Sequence, residues 1–224
     1  MIWLDFRELV TVVLVTVGAL LPLVNPLGSA PLFLAMTAGY DESVRAFLAR
    51  RIAVYSFALL LGSMLVGGLV LRVFGLSVPI VQLAGGVVVS ALGWQLLADA
   101  PKPSAVTVDP ARAQQVALGR AFYPLTMPLT VDAGGISVAI TVGTHHSQRV
   151  AAMAAQLAAS AIGAVLIAIS VFLTYRYAQR LGKRIGSTGM TVLLQLSAFI
   201  TVCIGVAISW TGLQSLLREI GIGR

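Results

Sequence analysis

Residues 9–40 form an apolar run without a charged side chain, yet Pro22, Pro26, Gly28 and Pro31 fall within ten positions of it. A chain that crosses a bilayer must satisfy its backbone polar groups internally, which a continuous helix does. Proline removes an amide donor and clashes with the preceding turn, so Pro26 and Pro31 are not expected to share one regular helix. An unpaired backbone group in hydrocarbon is costly, so the break, expected over residues 22–28, must be received by protein or by a water-lined cavity. The pattern then recurs. Pro124 and Pro128 repeat the spacing of Pro22 and Pro26 and are followed by a polar, glycine-containing stretch with Thr130, Asp132, Gly134 and Gly135. Two broken helices at matching positions of two halves point to the binding site of a transporter.

Hydrophobic residues make up 58% of the chain and charged residues 10%, which excludes an ordinary soluble domain. Residues 52–71, 73–98, 150–175 and 185–217 are further apolar runs free of charge, each with the ~20 residues needed to span. With the two broken segments they predict an all-α integral membrane protein of six crossings, the first and fourth discontinuous. The net charge of +7 does not imply nucleic-acid binding, because the basic residues sit at the ends of apolar runs, where membrane topology places them. Cys203 is the one cysteine and is expected to act as a small buried apolar residue. The N-terminus lacks a basic region, with Asp5 and Glu8 around Arg7, so it reads as a retained crossing rather than a cleaved signal.

Crossings one to three fall in residues 1–98 and crossings four to six in residues 121–224, joined by a polar linker over 99–120. Arg45, Arg50 and Arg51 are expected in a polar loop after crossing one, and Arg176, Arg180, Lys183 and Arg184 in a basic connection before crossing six. Three crossings per half is odd, so the second half enters the membrane inverted. Ten Lys and Arg residues fall on the side of the loops after crossings one, three and five, against five on the other. The richer side is expected to be cytoplasmic, leaving both termini on the periplasmic or extracellular side.

The run Leu21, Pro22, Leu23, Val24, Asn25, Pro26, Leu27, Gly28, Ser29, Ala30, Pro31, together with Tyr123, Pro124, Leu125, Thr126, Met127, Pro128, Leu129, Thr130, resembles the MarC family of bacterial and archaeal inner-membrane proteins. The likeness extends over nearly the whole chain. It implies six helices with discontinuous first and fourth members around a central site, and affiliation with transporters of small neutral amino acids such as glycine and alanine. The antibiotic-resistance locus behind the family name is poor evidence for drug efflux. One departure stands out: the family motif usually continues Val-Gly-Pro-Gly, whereas this chain reads Val131, Asp132, Ala133, Gly134, Gly135.

A broken helix exposes N–H groups at the start of its second half and carbonyls at the end of its first, favouring an anion and a cation respectively. Two antiparallel breaks can therefore hold a zwitterion without charged side chains. The expected substrate contacts are Asn25, Pro26, Gly28, Ser29, Thr126, Thr130, Gly134, Gly135 and Ser137, around a compact solute. Asp132 is the one carboxylate expected at membrane depth. It reads equally as an N-cap and as a contact for the substrate or for a coupling sodium ion or proton. Gln82 and Gln195 read as interhelical hydrogen-bond partners, and His145 and His146 lack the context of a metal site. No cofactor beyond the coupling ion and no nucleic acid is expected. The partners are the bilayer, a small solute and, compatibly, further copies of the chain. Without a nucleotide-binding loop, a secondary carrier is the leading reading. A channel, a non-transporting assembly factor and an intramembrane enzyme are the alternatives, the last lacking a catalytic partner for Asp132.

Overall fold

The computed structural model describes residues 2–98, 110–144 and 150–221, and among these every regular element is helical. Helix α1 (Ile2–Val24) is followed after one residue by α2 (Pro26–Met36), then α3 (Glu42–Val73), α4 (Val78–Ala98) and α5 (Pro110–Arg120). A π-helical turn (Ala121–Thr126) leads to α6 (Ala133–Thr144) and α7 (Val150–Glu219). Helix α7 is bent at Gly186 (φ 77°, ψ 175°) into arms over 150–185 and 187–219. Among the described residues five stretches are long and apolar enough to cross a membrane: Leu9–Met36, Glu42–Val73, Val78–Ala98, Leu157–Arg180 and Thr188–Glu219. Ala133–Gly143 is apolar but shorter.

Several expected loops are helix. Arg45, Arg50 and Arg51 lie in α3, whose 32 residues reach roughly 48 Å, well beyond the ~30 Å hydrocarbon core. The helix continues into the polar zone because nothing in Glu42 to Arg51 breaks it and Arg50 and Arg51 are exposed there. Arg176, Arg180, Lys183 and Arg184 likewise belong to the first arm of α7, and only Gly186 turns the chain. The 110–120 part of the linker is α5, opened by a proline at the position where a missing amide costs nothing. Residues 99–109, His145 and His146 lie outside the described residues. Helix α3 ends where its sequence says it should. Gly75 is left-handed (φ 66°), its N–H donates to the Arg72 carbonyl (3.1 Å), and the Leu76 N–H donates to that of Leu71 (2.8 Å).

Glycine governs the interhelical packing. A Cβ on Gly86 would meet the Gly205 carbonyl oxygen at 2.5 Å, and one on Gly93 would meet the Val202 amide at 2.8 Å. A Cβ on Gly212 would meet the Leu83 amide at 2.6 Å. As the number rises along α4 it falls along α7, so α4 and the second arm run antiparallel at backbone contact. Gly86 with Gly93, and Gly205 with Gly212, are seven residues apart and share a face. Such close approach, sealed by Ser209 Oγ donating to the Leu83 carbonyl (3.2 Å), is how helices associate where water supplies no drive. Gly67 and Gly143 on α3 and α6 pack against Ile140 and Met64 in the same antiparallel sense, and Gly163 of α7 receives Thr16 of α1.

The dry interior is built on Leu20, Phe33, Leu48, Ile52, Leu125 and Tyr175. Large apolar side chains such as Leu14, Leu69, Val87, Phe199 and Trp210 point outward, as a lipid-facing surface requires. Cys203 is exposed on that surface, contrary to the expected burial. Because lipid is itself apolar, a cysteine on the outer face loses nothing there.

Candidate functional site: a cavity between two broken helices

The first break is confined to a single residue. The Asn25 N–H completes α1 by donating to Leu21 (2.9 Å), and its carbonyl begins α2 by accepting from the Ser29 N–H (3.0 Å). Between these bonds Asn25 turns left-handed (φ 37°, ψ 61°), a conformation asparagine tolerates better than most residues. The expected interruption over 22–28 is therefore narrower than its prolines suggest. Pro22 stays inside α1, and Pro26 and Pro31 do share α2. They can, because Pro26 occupies the first helical position, where no amide is needed.

The second break is longer. The π-helical turn contains Tyr123 in an extended conformation (φ −121°, ψ 125°), and the peptide bonds before Pro124 and Pro128 are cis. Residues 127–132 form no helix. The Thr126 hydroxyl donates to the Ala121 carbonyl and the Thr130 hydroxyl to that of Leu125, each at 2.7 Å. Tyr175 Oη lies 2.9 Å from Thr130 Oγ1. With the threonine proton committed to Leu125, the phenol is the donor. The Tyr175 ring stacks on Phe33 at 4.4 Å, so one buried side chain from α7 ties α2 to the irregular segment.

Each half-helix begins with the same device. Asn25 Oδ1 accepts the Gly28 N–H (3.2 Å), and Asp132 Oδ1 accepts the Gly135 N–H (2.7 Å), a side-chain cap reaching three residues on at both places. A Cβ on Gly28 would collide with the Asn25 side chain, so the glycine makes room for its own cap. The breaks also touch directly: Ser29 Oγ donates to the Leu129 carbonyl at 3.3 Å.

Between them lies a cavity of about 180 Å³. Asn25, Gly28 and Ser29 line it from the first break, and Pro124, Pro128, Leu129 and Asp132 from the second. Its remaining polar lining is Gln95 of α4 with Ser197 and Thr201 of α7, and Asp132 is its only charged residue among the described ones. Of the residues expected to contact a substrate, Asn25, Gly28 and Ser29 reach this cavity, as does Asp132. Thr126 and Thr130 are used by the backbone, Pro26 is buried at the start of α2, and Gly134 packs against Ile208. Gly135 donates its amide to Asp132, and Ser137 Oγ is buried without a partner among the described residues. The amides of Gly28 and Gly135, which could have faced a carboxylate, serve the caps instead. What the second break presents to the cavity is a carboxylate. Gln82 packs beside Gly212, and Gln195 lies elsewhere, near the bend of α7.

Gln95, Ser197 and Thr201 were not legible as site residues in isolation. Their signal is an amide near the end of α4 and two hydroxyls four apart on α7, which equally marks packing. The described residues contain no cluster of three metal-ligating side chains.

Residues 10–217 match the profile of the MarC family, described as MarC family integral membrane protein. The chain belongs to the MarC family. It is 28% identical over 204 residues to the UPF0056 inner membrane protein MarC of Escherichia coli, covering 89% of this chain and 92% of the relative. The UPF0056 membrane protein YvbG of Bacillus subtilis is 25% identical over 193 residues, 86% of this chain and 89% of its own. No solved structure matches. Membership accords with the run of apolar helices and with the outward-facing apolar surface, and relatives named as inner membrane proteins fit the same setting.

Proposed function

We propose that this MarC-family protein is a secondary carrier of small neutral amino acids, of glycine or alanine size, across the cytoplasmic membrane. The single observation that carries the reading is one small cavity lined from both broken helices. Its ~180 Å³ lies below the roughly 300–1,000 Å³ of pockets for drug-sized ligands and suits a compact solute. The Asp132 carboxylate is the subsite for an ammonium group or for a coupling sodium ion or proton. Asn25, whose Oδ1 is held by Gly28, retains its amide NH₂ as a donor toward a substrate carboxylate, while the Ser29 and Thr201 hydroxyls, which donate to the Leu129 and Ser197 carbonyls, offer acceptor oxygens toward an ammonium group.

In this reading α1–α2 forms crossing one and the π turn with α6 forms crossing four. The six crossings make two inverted halves over 1–98 and 121–224. The matched caps at Asn25 and Asp132 support that pairing, as do the antiparallel glycine faces of α4 and α7. Because the Ser29–Leu129 contact joins the halves at the site, rocking one half against the other would open it to one side at a time. The test is counterflow in proteoliposomes loaded with unlabelled glycine or alanine and exposed to labelled substrate. Trans-stimulated accumulation is expected of a carrier. Passive equilibration alone would indicate a channel, and no movement of either amino acid would overturn the reading.

A further inference from the structure

A second, larger cavity of about 640 Å³ lies where α2, the start of α3 and the bend of α7 meet. Leu96 and Leu194 line both this cavity and the central one, so the two are neighbours across an apolar wall. Among the described residues, its charged lining is Arg45 and Lys183. Arg45 donates from Nη1 to the Thr37 carbonyl (3.2 Å), which closes the end of α2, while its Nε is shielded from water without a partner among the described residues. Gly186, where α7 bends, also lines the cavity, so Lys183 sits one turn before the bend at the same mouth. Glu42 acts on Arg180 and Lys183 electrostatically but is ion-paired with Arg176 at 3.1 Å, so positive charge remains in excess there.

We propose that this basic mouth is an anion-binding vestibule that takes a carboxylate or phosphate group at Arg45 and Lys183. The guanidinium is pre-positioned by Thr37 and presents remaining donors in a fixed plane, which suits a planar or tetrahedral oxyanion. The exposed lysine adds a flexible second cation across the opening. The anion is either a soluble one or the phosphate of a lipid headgroup, since the vestibule sits beside the membrane-spanning helices. The inference goes beyond the carrier reading and stands without it.

The test uses the full chain in lipid nanodiscs with Cys203→Ser and Ala38→Cys, because Ala38 is exposed and lines the vestibule. Modification rates are measured with methanethiosulfonates bearing a sulfonate or a trimethylammonium group. Two cations near the thiol should favour the anionic reagent, and Lys183→Gln with Arg45→Gln should lower that preference roughly tenfold. Lys183→Gln alone gives a smaller fall in the same direction and guards against misfolding when Thr37 loses Arg45. Inorganic phosphate should slow the sulfonate reagent if the site takes soluble anions. Nanodiscs of phosphatidylcholine with an equal part of phosphatidylglycerol, compared with phosphatidylcholine alone, should slow it if the site takes lipid headgroups. A rate ratio untouched by Lys183→Gln, or no slowing by either phosphate or phosphatidylglycerol, would overturn the proposal. Labelling requires no transport, so a failed counterflow experiment leaves this result intact.

Discussion

Asp132 is where two roles can be separated by one atom. Its Oδ1 caps α6 through the Gly135 N–H at 2.7 Å, and among the described residues its carboxylate is the only charge lining the central cavity. Asparagine caps a helix as well as aspartate, so Asp132→Asn should leave thermal stability in detergent near wild type, while Asp132→Ala should lose about 1 kcal/mol with the cap. The charge is a different quantity. A hydrogen bond between a carboxylate and a substrate ammonium contributes about 1.5–3 kcal/mol. Its loss should weaken binding roughly 10- to 150-fold in Asp132→Asn, although that protein folds normally. Equilibrium binding of labelled glycine and alanine to purified protein measures the first effect. Uptake across imposed sodium and pH gradients at matched reconstitution measures the second. If the carboxylate serves the coupling ion, gradient response is lost while substrate exchange survives. Asp132→Asn protein with wild-type affinity and wild-type gradient response would refute the reasoning and leave the residue a cap alone.

Gly28→Leu should insert and fold yet fail in counterflow, because its side chain would displace the Asn25 cap at the cavity wall; unchanged uptake by well-expressed protein would count against the site. Gly86→Leu should lower the melting temperature sharply, since overpacking typically costs about 1–3 kcal/mol and here the obstruction is backbone. Gly62→Ala, with open space at its Cβ, should be neutral or stabilising by about 0.5–1 kcal/mol in the same assay. Tyr175→Phe keeps the stack on Phe33 but leaves Thr130 without its phenol donor, for a loss of about 0.5–1.5 kcal/mol read as reduced thermal stability; Tyr175→Ala should lose about 3–5 kcal/mol. Thiol labelling of cysteines placed near either end should report both termini outside, and a C-terminus reachable only from the cytoplasm would invert the assigned sidedness.

Much of the architecture was legible because in a bilayer the constraints are local. Continuous apolar runs had to be helices, and the proline-rich stretch over 22–28 marked an interruption of the first, which falls at Asn25. The Pro124 and Pro128 repeat marked where the chain would do so again. The reading was less sharp at helix ends. Arg45 and Arg176 were expected in loops because charge leaves the hydrocarbon, but a helix continues into polar surroundings unless something stops it. Likewise Pro26 reads in sequence as a breaker, although proline in the first helical turn interrupts nothing.

The sequence by itself determined that the chain is an all-helical membrane protein of this family with two interrupted segments, since composition, run length and proline position act without reference to distant residues. It also marked Asp132 as a cap, because a capping side chain reaches only three residues along its own chain, whereas the matching cap at Asn25, read from sequence as a substrate contact, emerged with the structure. Only the tertiary structure decided what those breaks enclose. That Ser29 meets Leu129, that Gln95 and Thr201 complete the cavity wall, and that Tyr175 holds Thr130 all depend on how separate helices pack. Packing is set by steric fit between backbones, above all where Gly86 lies against Gly205, and in lipid no hydrophobic periodicity advertises which faces will meet.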